Sequence, residues 1–380
     1  MVKSKDMKTA FIYSDKFAGF NYGPSHPLKT YRLKLTYDLI RAYGLLSIPG
    51  ARYIEAEMAD DEDLLLFHEK DYIDILKASN RGVAMPGSHY FGLGPGDNPV
   101  FEGLFDWSRL VAGASLKAAR LVESGEADIA FNISGGLHHA AASRASGFCY
   151  INDPVIAIQW LINQGRRVAY IDIDAHHGDG VQGAFYDTGK VLTISIHETG
   201  RQLFPGTGFV DEIGEGPGEG YSVNAPMPAY ADDELFLYAF SEIVPPLIDR
   251  YKPDIVVSQL GVDSFVTDPL AHLNYTTNGF SAVMMKIKEL APRWVALGGG
   301  GYNMANVVRA WTLAWAIMTD SHIPDELPDE FLSLCSREGF ESGRLRDKAY
   351  SVTGAAKEKM REEVETAVNF LKEKVIPKVR

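Results

Sequence analysis

The sequence predicts an α/β fold: one domain with a mostly parallel central sheet and helices on both faces. Three observations carry this expectation. Short apolar, β-branched runs recur along the 380 residues without alternating with polar ones, the pattern of strands buried on both faces of a parallel sheet. Helix-period segments separate those runs, as βαβ crossovers require. No Ser/Gly- or Pro-rich linker and no 20–50-residue repeat divides the chain. The length would admit roughly two to three domains, but with no shift in composition a single domain over 1–380 is expected.

The elements follow in order. A strand is expected at Thr9–Tyr13, then a helix at Tyr31–Tyr43 and a Gly/Pro-rich surface loop at Gly82–Pro99. A helix at Ser108–Glu123 leads to a strand at Ile129–Ile133, and a helix at Val155–Gln164 leads to strands at Val168–Ile173 and Val191–Ile196. A second loop, Ile213–Gly220, precedes a helix at Glu234–Tyr251, a strand at Ile255–Leu260, a helix at Thr277–Leu290 and a strand at Trp294–Leu297. These lie in a motif-bearing core of about 9–318. A helical extension follows at about 353–376, its helix near Ala355–Lys374 carrying Met360, Val364, Ala367, Val368 and Leu371 at packing spacing.

Composition narrows the class. With 46% apolar and 23% charged residues the chain has the balance of a globular protein, which excludes disorder. The net charge of −13 (37 basic against 50 acidic residues) repels phosphate backbones and argues against a nucleic-acid binder. Two cysteines, Cys149 and Cys335, make neither a Cys-rich metal site nor a disulfide framework, so a reducing compartment is expected. Met1–Ala10 is polar with no apolar segment after it, as no secretory signal would be. The longest apolar stretch, Val307–Met318, falls short of the ~18 residues a membrane span needs and is broken by Arg309. A soluble, cytoplasmic protein is the expectation.

In open parallel sheets ligands bind beyond the carboxyl ends of the strands. Behind the predicted strands stand Ser134-Gly-Gly-Leu-His138-His139, Asp174-Ala-His176-His177-Gly-Asp179, His197, Gly261-Val-Asp263, and four glycines with Tyr302. Asp174 and His176, two apart, leave the same face of an extended segment and could share a metal, with Asp263 as a third ligand. Three N/O ligands leave a position open for water, the catalytic pattern for zinc, which polarises a carbonyl and brings the water pKa toward ~7. Alone, Asp-x-His is more often a solvated Asp beside a capping His. Three acids and two imidazoles at one strand end have no such structural need. His138 and His139 could divide base and acid duties, oriented by Asp172 and Asp179, or could be capping residues. A glycine run ending in Tyr302 suits a phenol donating to an oxyanion, with packing as the rival reading. Phe148 and Phe204 could be core aromatics or the walls of a slot.

Taken together, Gly135-Gly-Leu-His-His-Ala140, Ser146-Gly-Phe-Cys-Tyr-Ile-Asn-Asp153, Asp172-Ile-Asp-Ala-His-His-Gly-Asp-Gly180, Phe204-Pro-Gly-Thr-Gly208, Gly261-Val-Asp263 and Gly298-Gly-Gly-Gly-Tyr302 resemble the zinc-dependent histone deacetylases. Within that family the chain looks most like the prokaryotic histone-deacetylase-like and acetoin-utilisation proteins, and the likeness runs in order from about Ser25 to Trp311. The resemblance implies an arginase-type domain with an eight-stranded parallel sheet. It implies Asp174, His176 and Asp263 as zinc ligands, with ferrous iron suited to the same donors. It implies His138 facing Asp172, His139 facing Asp179, and Tyr302 as the donor to the substrate carbonyl. Gly147, Phe148 and Phe204 would line an acyl-lysine tunnel, Asp97 would hold the substrate backbone at its rim, and Arg32 would border an internal acetate-release cavity.

Family members also bind potassium. An inner site would use Asp172, Asp174, His176, Ser195 and Ile196, and a second Phe185, Thr188, Val191 and Tyr221. Two positions depart from many relatives: Ala175 between the ligands, where a larger aliphatic is usual, and Leu203 before Phe204, where a second aromatic is. The implied activity is hydrolysis of Nε-acetyl-lysine in proteins, or of a related acetylated amine, to free amine and acetate. The rivals are a two-manganese amidinohydrolase of the arginase kind, hinted at by Asp268-Pro269 after Asp263, and a catalytically silent acetyl-lysine or polyamine binder.

Overall fold

Why so many polar groups meet in one place follows from the strand order. The computed structural model describes residues 7–335, 340 and 343–380. Eight parallel strands form one sheet: β1 Thr9–Tyr13, β2 Ala51–Glu55, β3 Ile129–Asn132, β4 Val168–Asp172, β5 Val191–Glu198, β6 Ser222–Met227, β7 Ile255–Gln259 and β8 Trp294–Leu297. Their order is β2-β1-β3-β8-β7-β4-β5-β6, so β3, β8, β7 and β4 are neighbours at the centre. The register lines up Ile12, Asn132, Leu297, Gln259, Asp172, Ser195 and Asn224 as one row across the sheet. Segments leaving that row all start from the same level.

The six predicted strands are present; β2 and β6 lacked a signal because they are the two edges. β2, Ala-Arg-Tyr-Ile-Glu, is half exposed and needs no apolar run. β6 carries Asn224 and Pro226, and a proline that cannot donate to the ladder is tolerated at an edge. Three strands stop one residue short of the apolar runs that predicted them. β5 instead continues to Glu198, so His197 lies inside the strand and not beyond it.

The helices Tyr31–Ala42, Met304–Met318, Thr277–Leu290 and Asp233–Tyr251 pack side by side in one layer, and Leu104–Glu123 packs with Asp153–Asn163 in another. Trp107, Trp294, Trp311 and Trp315 are fully buried within the core. The apolar stretch at Val307–Met318 belongs to the Met304–Met318 helix, in which Arg309 pairs with Asp347 at 2.6 Å. No helix among the described residues is long and apolar enough to cross a membrane. The C-terminal helix Ala355–Phe370 buries Met360, Val364 and Val368, as its spacing predicted, and packs along β6 and the Asp233–Tyr251 helix. Its buried Lys357 pairs with Asp232 at the start of that helix.

Candidate active site

At the end of β4 the chain turns sharply, with the Asp174 amide donating to Asp172 Oδ1 at 3.1 Å and the His176 amide to Asp174 Oδ1 at 3.0 Å. These bonds swing Asp174 and His176 toward β7, whose following segment brings Asp263. His176 Nδ1 lies 3.1 Å from Asp174 Oδ1 and 3.0 Å from Asp263 Oδ2. The other oxygen of each carboxylate is already held: Asp174 Oδ2 accepts from Gln259 Nε2 at 2.6 Å and the Gly300 amide at 2.8 Å, and Asp263 Oδ1 from the Ala175 amide at 2.9 Å. One imidazole nitrogen and one oxygen from each acid are therefore left aimed at a common point. All three residues are buried, with possible ligand atoms within 4.8 Å of one another. Two buried carboxylates and an imidazole fit a divalent cation of the zinc or ferrous class. Burial opposes charge on His176, but Asp263 and Asp174 outweigh it and hold the imidazole well above its ordinary pKa; burial and Asp174 push Asp263 up.

The β3 end supplies the histidine pair. Asp153, buried in the first turn of its helix, accepts from the Gly136 and Leu137 amides at 3.0 and 2.9 Å and so shapes the turn in front of His138. His138 Nδ1 reaches Asp172 Oδ2 at 2.7 Å, and His139 Nδ1 reaches Asp179 Oδ1 at 2.7 Å. The two Nε2 atoms are 3.0 Å apart. Burial lowers both imidazoles, but Asp172 and Asp174 overcome it at His138 and take its pKa up to about 9. At His139 burial and the His138 charge win, and its pKa falls to about 4. One charge is thus shared unequally by the pair.

The β8 end supplies Tyr302. Its amide donates to Asp268 Oδ2 at 2.7 Å, and burial with the nearby Asp263 keeps the phenol protonated well past its usual range. Gly300 is needed for a spatial reason: a Cβ there would lie 2.0 Å from Asp263 Oδ2. Arg32 is buried and donates to the carbonyls of Gly301 and Gly299 at 2.5 and 2.7 Å, while its Nε has no hydrogen-bond partner among the described residues. It thereby braces the glycine run that carries Tyr302.

Phe148 meets Tyr302 edge-on at 5.6 Å between ring centroids, and Phe204, 43% exposed, stands 5.0 Å from the His139 ring. Gly147 lies against His139. Leu203 is buried and so is not itself at the entrance, whereas Asp97 is exposed on the Gly/Pro-rich loop.

Of the residues expected at cation sites, Asp172 and Ser195 are register partners beside Ile196. Phe185, Thr188, Val191 and Tyr221 gather around the start of β5, at the other end of the sheet from the histidines. Two expected neighbours turn away from the centre. His177 pairs with Thr207 and Gln182, and His197 with Ser195 and the Gly208 carbonyl. Among the described residues, Asp174, His176 and Asp263 are the one group placed to hold a metal ion.

Sequence reasoning did not single out Gln259, Asp153 or Asp268 as parts of the site. A glutamine closing a buried strand was the one available signal for Gln259. Asp153 stood at the end of a quoted motif, and Asp268 was noted only for the rival reading.

The chain is similar to known proteins over most of its length. The histone deacetylase domain matches residues 26–318. The chain is 41% identical over 333 residues to the acetoin utilization protein AcuC of Bacillus subtilis (strain 168), covering 85% of each. It is 39% identical over 324 residues to histone deacetylase 1 of Homo sapiens, covering 84% of this chain and 66% of that one. Among solved structures, an HDAC homologue from Aquifex aeolicus superposes with a TM-score of 0.87 at 34% identity, over 95% of this chain and 100% of that one. An HDAC homologue complexed with SAHA gives 0.87 at 33%, over 96% and 100%.

Proposed function

The chain belongs to the histone deacetylase family, and on that premise we infer that it hydrolyses Nε-acetyl-lysine, releasing lysine and acetate. The observation that carries this reading is the buried Asp174–His176–Asp263 group, with the His139 ring of the histidine pair 5.9 Å from that of His176 and the Tyr302 phenol near enough to feel the Asp263 charge. Asp174, His176 and Asp263 would hold the metal, which when bound polarises the acyl carbonyl and acidifies water. Zinc is the favoured ion.

The remaining steps belong to side chains. His139, neutral at physiological pH, takes the proton from the attacking water, while Asp179 fixes its tautomer through Nδ1. Tyr302, kept protonated, donates a hydrogen bond from its phenol to the carbonyl oxygen and to the tetrahedral oxyanion that follows. The imidazolium of the pair then protonates the leaving amine, so that atoms balance as amine plus acetate. Phe148 and Phe204 present aromatic faces to the aliphatic stem of the lysine. Residues 9–318 would act as one catalytic domain with 353–376 as its helical extension. Potassium bound by Asp172, Ser195 and their neighbours would be structural.

Turnover of an acetyl-lysine peptide, assayed before and after chelation and after return of zinc or ferrous iron, tests the reading. Activity lost on chelation and restored by one of these ions is expected. Urea release from a guanidino substrate with two manganese ions per chain, or tight acetyl-lysine binding without turnover, would replace it.

A further inference from the structure

A second polar cluster lies outside the catalytic constellation. Glu198, the last residue of β5, is buried, and its two carboxylate oxygens accept from the His272 amide at 2.8 Å and from His272 Nδ1 at 2.9 Å. The imidazole is 51% exposed, and Nε2 has no hydrogen-bond partner among the described residues. Tyr230 stands beside it, 6.2 Å between ring centroids, its amide donating to the His272 carbonyl at 2.8 Å. Tyr230 is 57% exposed and sits at φ 69°, a left-handed conformation that is strained for a non-glycine residue. An exposed ring kept at a position glycine would occupy more cheaply points to a use for the ring.

The two loops joined by Glu198 and His272 are those that serve the acyl site. The 199–208 loop carries Phe204, and the 264–275 loop carries Asp268, which holds the Tyr302 amide. Their charge is unlike that of the molecule as a whole. The 199–208 loop has no acidic residue, and on the other the one acid, Asp268, is buried and accepts three amides. Arg201 is exposed on the tight turn just after Glu198, and among the described residues its side chain has no hydrogen bond or ion pair. A chain of net charge −13 thus places an exposed guanidinium three residues before Phe204, on the loop that Glu198 ties to the His272–Tyr230 pair.

We propose that Arg201, His272 and Tyr230 form a rim subsite that reads an acidic side chain next to the acetylated lysine of a polypeptide substrate. The inference rests on the deacetylase reading and adds its substrate class. Arg201 supplies the charge, His272 Nε2 a hydrogen bond, and Tyr230 a rigid face for the flanking backbone. A small acetylated amine would end inside the slot, short of these three side chains.

The test is steady-state kinetics on acetyl-lysine peptides that differ only in one flanking residue, Glu, Ala or Lys, on either side, together with Nε-acetyl-lysine methylamide as the short substrate. On one side Glu is expected to exceed Lys by roughly 3–5-fold in kcat/KM, carried by KM, the size of an exposed ion pair. Arg201→Glu should reverse that order. Tyr230→Gly, which suits the backbone conformation and so keeps the fold, should lose several-fold on peptides through KM and leave the methylamide unchanged. Equal rates on the three peptides, or an order unaltered in Arg201→Glu, overturn the subsite while leaving the deacetylase reading intact. No turnover of any peptide or of the methylamide removes both.

Discussion

His138 and His139 are adjacent in the chain, yet their Nε2 atoms meet at 3.0 Å while their Nδ1 atoms reach separate carboxylates, Asp172 and Asp179. The arrangement splits two identical side chains into a charged one and a neutral one. The buried carboxylates of Asp172 and Asp174 favour the proton on His138, and that proton in turn repels a second from His139. Two groups with pKa values pushed apart divide acid and base duties.

A bell-shaped pH profile of kcat/KM is the first expected outcome. His139 accepts a proton only when neutral, so activity falls below about pH 4; His138 contributes its charge only when protonated, so activity falls above about pH 9. In Asp172→Asn the charge that raises His138 is gone, and the alkaline limb should move down by ~1–3 units. An alkaline limb unchanged in that variant would detach it from His138.

Tyr302→Phe removes the phenol and nothing that holds the loop, since Asp268 binds the Tyr302 amide and Arg32 the glycine carbonyls. The expected loss is ~10²–10³ in kcat with KM little altered, as for loss of one oxyanion donor. Activity near that of the wild type on an acetyl-lysine peptide would remove Tyr302 from the mechanism.

Metal uptake should release protons and change the slope of stability with pH. In the metal-free protein His176 and Asp263 both have raised pKa values, so at these two groups the folded state holds more protons than the unfolded one above about pH 4. The stability from both groups is present at low pH and is lost as pH rises through their folded values. The gain in melting temperature on adding zinc should therefore be larger at pH 8 than at pH 5. A zinc-induced shift that does not vary with pH would contradict this donor set.

Gly147→Ala probes how closely His139 is confined. Gly147 has φ 51°, and a Cβ there would lie 2.4 Å from His139 Cδ2, so the imidazole or the Phe148 loop must move. A displacement near 1 Å at a reacting group costs ~10²-fold in rate. Circular dichroism and kcat measured together separate this from unfolding, and retained kcat in a folded variant would show the ring is not so held.

Much of this site could be read directly from the chain because its parts are local. Glycines, acids and histidines directly follow buried apolar runs, and the two-residue spacing of Asp174 and His176 places them on one face whatever surrounds them. The central strands were legible for the same reason. β2 and β6 were not, because edge strands need neither continuous burial nor a proline-free ladder.

What the amino-acid order determined by itself was the α/β class, the six inner strands and the chemical groups waiting at their ends. The tertiary structure decided which of those ends are neighbours. It put β3, β8, β7 and β4 side by side, turned His177 and His197 away, brought Gln259, Asp153 and Asp268 in as supports, and separated the pKa values of two adjacent histidines. The physical reason is range. Periodicity and turn preference act between residues close in the chain, whereas strand order, carboxylate placement and burial arise from contacts up to hundreds of residues apart, such as Arg32 with Gly301.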